Sequence, residues 1–267
     1  MHEQITIRTL FKKKQEGKKI TMVSTYDYIS AKLCDQVGID CVLVGDSLGM
    51  VFQGLESTLY VSLDEMIYHT KAVKRGIKRA FLIVDMPFMS YQVSKEDAIR
   101  NCGRVMKETG ANAVKLEGGE DIAELIHRLV SIGIPVVGHL GFTPQSVHAL
   151  GGYRVVGKKE DEAQKLKRDF KALEEAGAFM IVLESVPSHL AQELTRDSKS
   201  ITIGIGAGPH CDGQVLVFHD LVGLVEDIKP KFVKRYAQGA EVFRQALQKY
   251  KEEVEKGIFP SEEESYG

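Results

Sequence analysis

Neither sign of charge dominates this sequence: 35 Lys and Arg stand against 37 Asp and Glu, for a formal charge of −2. That balance excludes a protein that tracks nucleic acid, which needs a basic excess or stripe to displace counterions. No apolar run approaches the roughly 18–20 residues of a membrane span. The opening stretch MHEQITIRTLFKKKQEGKK lacks the apolar segment of a secretory signal. Four cysteines, Cys34, Cys41, Cys102 and Cys211, form no Cys-x-x-Cys pair, so reduced thiols in a cytoplasmic protein are expected. Tryptophan is absent, which decides nothing. Low-complexity linkers and long charge blocks are missing too. A hydrophobic share of 43% suffices for a sizeable core and excludes an acidic disordered chain.

What recurs is a short β-branched apolar run followed by a longer run of helical period. Strands are expected at Ile20–Thr25, Cys41–Gly45, Ala80–Val84, Ala113–Leu116, Pro135–Gly138, Phe179–Leu183 and Ile201–Ile205, rich in Val and Ile as buried parallel strands are. Ser62-Leu63-Asp64-Glu65 reads as a capping box opening a helix that Gly76 closes. Further helices are expected from Ser94 to Gly110, from Ile122 to Gly133, and from about Leu166 to Gly177. A last one opens at Pro230, ends at Gly257 and is weakened by Gly239. Alternation of this kind means parallel strands with right-handed crossovers. Eight units of about 33 residues suit a (β/α)8 TIM barrel spanning 1–267 as one domain, with a helix over about 6–16 closing its base. The eighth strand, Gln214–Phe218, leaves little room for a seventh helix: either that helix is vestigial or the count fails. An open doubly wound sheet is the alternative.

Active-site groups of a parallel barrel gather at the carboxyl ends of the strands. The residues ending five successive runs are Asp46, Asp85, Glu117, His139 and Glu184. Alternation puts Lys115 on the face of Glu117, and Asp46 on the face of Val42 and Val44. In a closed barrel Lys115 points inward, either as a functional cation or as half of a buried ion pair. Asp46, Asp85 and Glu117 near one pole would repel one another unless a hard cation such as Mg²⁺ lay between them; Glu184 is then free for acid–base work. Other motifs carry less. Gly152–Lys158 fits GxxxxGK, but Lys159 replaces the Ser or Thr of a phosphate loop and no strand precedes it. Gly204–Gly208 is not GxGxxG. The remaining histidines, His2, His69, His127, His148, His189, His210 and His219, have no ligand-like spacing.

At these same residues the chain resembles the ketopantoate hydroxymethyltransferases. The segments are STYDY (24–28), VGDSLGMVFQG (44–54), YHTKAVKRG (68–76), VDMPFMSY (84–91), VKLEGG (114–119), GHLGFTPQS (138–146), GGYRVVGK (151–158), VLESVP (182–187), GIGAGPHCDGQVLVFHDLVGL (204–224) and PKFVKRY (230–236). Each is weak alone; together, in this order, they are specific. The resemblance implies a barrel of the phosphoenolpyruvate/pyruvate type, one Mg²⁺ per subunit, 5,10-methylenetetrahydrofolate as co-substrate, 2-oxoisovalerate as the oxo-acid, and a homodecamer. It implies Asp46, Asp85 and Glu117 as metal positions, Asp46, Ser47, Asp85 and Lys115 as oxo-acid contacts, Glu184 as proton acceptor and His139 as an active-site neighbour. Two positions depart from the family pattern: Ser185 where Cys is expected, and Glu264 where His is expected. Related barrels share the metal carboxylates, so an oxo-acid carbon–carbon lyase or mutase remains an alternative, as does a barrel that only binds metabolites.

Overall fold

A computed structural model describes residues 4–227 and 230–267; His2 lies outside them. The chain divides into two compact units, one ending at Val217 and one beginning at Phe218. In the first, eight parallel strands close into a barrel in sequence order: β1 Ile20–Ser24, β2 Cys41–Val44, β3 Phe81–Asp85, β4 Ala113–Glu117, β5 Val136–Gly141, β6 Met180–Glu184, β7 Ile201–Ile205 and β8 Gly213–Val217. β8 pairs with β1 from Ile20↔Gly213 to Ser24↔Val217, which closes the ring. The expected eighth strand exists, and residues 206–212 between β7 and β8 hold no helix.

Helices follow β1 to β6: Tyr28–Val37, Leu63–Gly76, Lys95–Thr109, Ala123–Ser131, Glu160–Glu175 and Ser188–Arg196. Ser62 and Glu65 form the capping box read from sequence, each bonding the other's backbone N–H. Alternate strand residues fill the barrel. Ile20, Met22, Cys41, Leu43, Phe81, Ile83, Val137, Met180, Val182, Ile201 and Ile203 share one buried apolar cluster with Leu10. Leu10 comes from the helix Ile7–Gln15, which is fixed at the barrel's N-terminal pole by Lys13 Nζ on Asp40 Oδ2 at 2.6 Å and Lys14 Nζ on Asp212 Oδ2 at 2.9 Å.

Three expectations need correcting. Because Cys41 and Leu43 face the interior, Val42 and Val44 face outward, so Asp46 does not reach the site by alternation. It lies past the last residue of β2, where the chain turns and the strand no longer dictates direction. His139 is not a strand end either: β5 runs on to Gly141, pairing Leu140 with Leu183 and Gly141 with Glu184. Two glycines in that stretch lowered its strand signal. In the unit from Phe218, the last helix is Gly239–Glu255, not a helix from Pro230. Gly239 stands at its start, where its N–H donates to Val222 O at 2.8 Å and a Cβ would lie 2.7 Å from that oxygen. Along this helix Val242, Phe243, Leu247, Tyr250 and Val254 form an exposed apolar stripe.

Candidate active site

The register brings the strand-end groups level. Asp85 pairs with Lys115, and Glu117 with His139, as direct neighbours on adjacent strands, so their side chains enter the C-terminal mouth together. Lys115 Nζ lies 2.8 Å from Asp85 Oδ1 and 3.1 Å from His139 Nδ1. His139 Nδ1 is 3.2 Å from Glu117 Oε1, and its Nε2 is 3.2 Å from Glu184 Oε2, although that last contact lacks hydrogen-bond geometry. Asp46, Asp85, Lys115, Glu117 and His139 are all buried. Glu184 is the member that solvent reaches. Asp46 N–H donates to Asp85 Oδ2 at 3.1 Å. Ser47 Oγ lies 2.8 Å from Tyr26 Oη, at the edge of the cluster. All seven residues expected at the site are therefore gathered at one pole.

Gly45 leaves room beside Asp85 for the hydroxyls of Ser24 and Ser47. A Cβ there would lie 2.9 Å from both Ser24 Oγ and Ser47 Oγ, and 3.4 Å from Asp85 Oδ2.

Sequence reasoning gave no role to Gln145 or Tyr91. Gln145 Nε2 donates to Asp46 Oδ2 and to Met86 O, both at 2.9 Å, and its backbone N–H donates to Glu117 Oε2 at 3.0 Å. Its Oε1 accepts from Tyr91 Oη at 2.8 Å and Gln92 Nε2 at 3.1 Å. One buried glutamine thus clamps two carboxylates, Asp46 through its side-chain amide and Glu117 through its backbone N–H, with the side chain's orientation fixed by the phenol. Both residues sit inside segments that carried the resemblance, GHLGFTPQS and VDMPFMSY, and that membership was the only signal.

The electrostatics are unbalanced. Burial, and then the nearby Asp85 and Glu117 carboxylates, push the Asp46 carboxyl well above its usual range. Glu117 is pushed up to about 7 by burial and by Asp85, against the pull of Lys115. Burial alone would lower Lys115, but Asp85, Glu117 and Asp46 outweigh it and hold the ammonium charged. Burial and the Lys115 charge lower His139, which stays a neutral imidazole. Carboxylates outnumber cations in this cluster, and its single ammonium, Lys115, sits on Asp85 Oδ1. Hard oxygen donors in excess of positive charge fit Mg²⁺ by charge and by donor type. They are not a finished cage: among the described residues no three His, Cys, Asp or Glu side chains converge as a metal site. Asp46 and Glu117 each turn an oxygen to Gln145, and Asp85 turns one to Lys115.

An eight-stranded parallel barrel with buried carboxylates and a lysine at its C-terminal mouth defines the class: a (β/α)8 barrel with a charged site at the carboxyl ends of its strands. Solved structures agree on the fold. Phosphonopyruvate hydrolase in complex with oxalate and Mg²⁺ superposes with a TM-score of 0.62 at 13% identity, covering 98% of this chain and 92% of that one. 2,3-Dimethylmalate lyase gives 0.62 at 16% identity, covering 97% and 91%. Sequence comparison is more specific. The family described as ketopantoate hydroxymethyltransferase matches residues 4–262. The chain is 70% identical to the 3-methyl-2-oxobutanoate hydroxymethyltransferase of Aquifex aeolicus over 98% of its own length and 99% of the relative's. It is 56% identical to that of Pelobacter propionicus over 100% and 98%. The chain belongs to the ketopantoate hydroxymethyltransferase family.

Proposed function

We propose that this protein transfers a hydroxymethyl group from 5,10-methylenetetrahydrofolate to 2-oxoisovalerate, giving ketopantoate and tetrahydrofolate in pantothenate and coenzyme A biosynthesis. The observation that carries the mechanism is Glu184, a solvent-reached carboxylate beside a neutral imidazole on the rim of a buried, charged cluster. The C3 hydrogen of the oxo-acid is weakly acidic, so the barrier is the negative charge that develops when it leaves. Glu184 takes that proton as general base. Neutral His139 keeps a ring nitrogen 3.2 Å from the carboxylate without neutralising it. The ammonium of Lys115 faces the carbonyl end of the substrate, where charge accumulates, with Asp46, Ser47, Asp85 and His139 shaping that pocket. Asp46, Asp85 and Glu117 would hold one Mg²⁺, which when bound supplies fixed positive charge beside the keto oxygen. As the methylene–N10 bond of the folate opens and N10 takes up a proton, C3 forms its new bond to the one-carbon unit; the methylene–N5 bond then breaks as water gives the hydroxyl to that carbon and a proton to N5, releasing tetrahydrofolate.

The four cysteines are free and buried, which supports a cytoplasmic setting. The exposed apolar stripe on helix Gly239–Glu255 supports a homo-oligomer, in keeping with the family's decamer, and sedimentation of the purified chain tests that. The reaction is tested by mixing 2-oxoisovalerate and 5,10-methylenetetrahydrofolate with the protein, with Mg²⁺ and with chelator. Metal-dependent ketopantoate is expected. Cleavage of oxo-acids without folate would instead favour the lyase reading.

A further inference from the structure

We propose that the exposed face of the Tyr153 ring is the stacking surface for the pterin of the folate co-substrate, an assignment that rests on the reaction proposed above. The buried cluster offers the oxo-acid charge and hydrogen bonds but no flat surface. The pterin is flat, conjugated and larger, and must reach Glu184 from outside. Tyr153 is held beside that base through Phe142, whose N–H donates to Glu184 O at 2.8 Å. Its ring packs on Phe142 with centroids 4.8 Å apart and planes inclined by 32°. Phe142 is 1% exposed and Tyr153 is 67% exposed, so one face of the tyrosine rests on the protein and the other is open. Its hydroxyl donates to Met50 Sδ at 3.3 Å. Partial burial of that hydroxyl, then the charges of Glu184 and Asp46, raise its pKa, which puts the ring within the field of the proposed base.

The loop that presents the ring is built for this position. Gly151 and Gly152 both take left-handed backbone, at φ 72° and 107°, a turn that side chains disfavour. Beyond the tyrosine, Val156 N–H donates to Ser185 O at 2.9 Å, while Ser185 N–H donates to Ile205 O at 2.8 Å. Gly157 N–H and Arg154 Nη1 both bond Glu162, at 3.0 and 2.7 Å. Ser185 directly follows Glu184 and itself has a positive φ of 50°. The backbone that holds the base therefore also anchors the loop that holds the ring. An aromatic face supported from below by a buried phenylalanine is suited to stacking a conjugated heterocycle.

The test compares wild type, Tyr153→Ala and Tyr153→Phe in three assays: steady-state kinetics in each substrate, calorimetric binding of tetrahydrofolate, and deuterium exchange at C3 of 2-oxoisovalerate without folate. Tyr153→Ala is expected to raise KM for 5,10-methylenetetrahydrofolate and Kd for tetrahydrofolate by roughly 5- to 100-fold, the range of stacking lost on truncation. KM for the oxo-acid and the C3 exchange rate should stay within about twofold. Tyr153→Phe keeps the ring and should resemble wild type. Unchanged folate affinity in Tyr153→Ala overturns the assignment. So does an equal fall in C3 exchange, which would mean the ring merely supports the loop over Glu184. If wild type itself makes no ketopantoate, the reaction proposed above fails; if it does and Tyr153→Ala binds folate normally, only the stacking assignment fails.

Discussion

At the N-terminal pole of the barrel, Asp40 is buried and its Oδ2 is saturated. It accepts from Lys13 Nζ at 2.6 Å, Thr21 N–H at 2.9 Å and Thr21 Oγ1 at 3.0 Å. Asp212 repeats the arrangement with Lys14 and Thr202. At the opposite pole Asp46 and Asp85 are as deeply buried, yet they crowd Glu117 and share one lysine. The residue types are the same and the arrangements are opposite. Pairing each carboxylate with its own cation fixes structure; gathering carboxylates around a single lysine stores a demand for charge that a metal or substrate can meet. Stability at the base and chemistry at the mouth is the division expected of such barrels.

That comparison can be broken by mutation, and the largest expected effect is at Glu184. Glu184→Gln should lower C3 exchange of 2-oxoisovalerate by about 10²–10⁴, the usual contribution of a general base, with the thermal midpoint unchanged. Next come two matched changes. Asp85→Asn should lower turnover by about 100-fold or more and weaken Mg²⁺ binding, with little loss of stability, because it relieves repulsion of Asp46. Asp40→Ala should do the reverse: it strands Lys13 and the Thr21 donors, costing about 3 kcal/mol in denaturant unfolding, while kcat of the folded protein stays at the wild-type value. If Asp85→Asn unfolds the protein and Asp40→Ala abolishes catalysis, the division is wrong.

Gln145→Ala should cost about 10- to 100-fold in kcat/KM and in Mg²⁺ affinity, as loss of a partner behind a metal ligand does; calorimetry reads the second directly. The smallest effect is in protons. Glu117 is held near 7 in the metal-free protein against an ordinary value of 4.5, so between those values the folded state binds the extra proton. The stabilisation from this group is complete below the lower value and is lost as pH rises through the higher one. Ligation requires the ionised form, so Mg²⁺ binding near neutral pH should release protons and tighten as pH rises. Titration in two buffers of different ionisation enthalpy measures this, and Glu117→Gln should reduce the release to the share that Asp46 supplies.

Much of the mouth was legible in the sequence because a strand constrains direction. Lys115 and Glu117, two residues apart in β4, had to share a face, and barrel closure left only the interior for a lysine. Asp85 and Glu184 were visible for the same reason, as charged residues terminating apolar runs. Legibility stopped where the chain leaves the strands. Asp46 enters the mouth through a turn that alternation cannot predict. Gln145 acts through partners on other strands, and a neutral amide gives no composition signal. Tyr153 lay in a glycine-rich stretch that read as a failed phosphate loop and as one segment of the family resemblance; its stacking partner Phe142, bonded to the Glu184 backbone, meets it through the fold alone. The helix expected at Pro230 was misplaced because a glycine that permits close backbone approach looks, in sequence, like one that weakens a helix.

The most direct test is deuterium exchange at C3 of 2-oxoisovalerate with Mg²⁺, measured side by side for wild type, Glu184→Gln and Asp40→Ala at a temperature where all three are folded. Exchange by wild type and Asp40→Ala, and its loss in Glu184→Gln, is the predicted result. Undiminished exchange in Glu184→Gln would contradict the central claim that this carboxylate removes the proton at the barrel mouth.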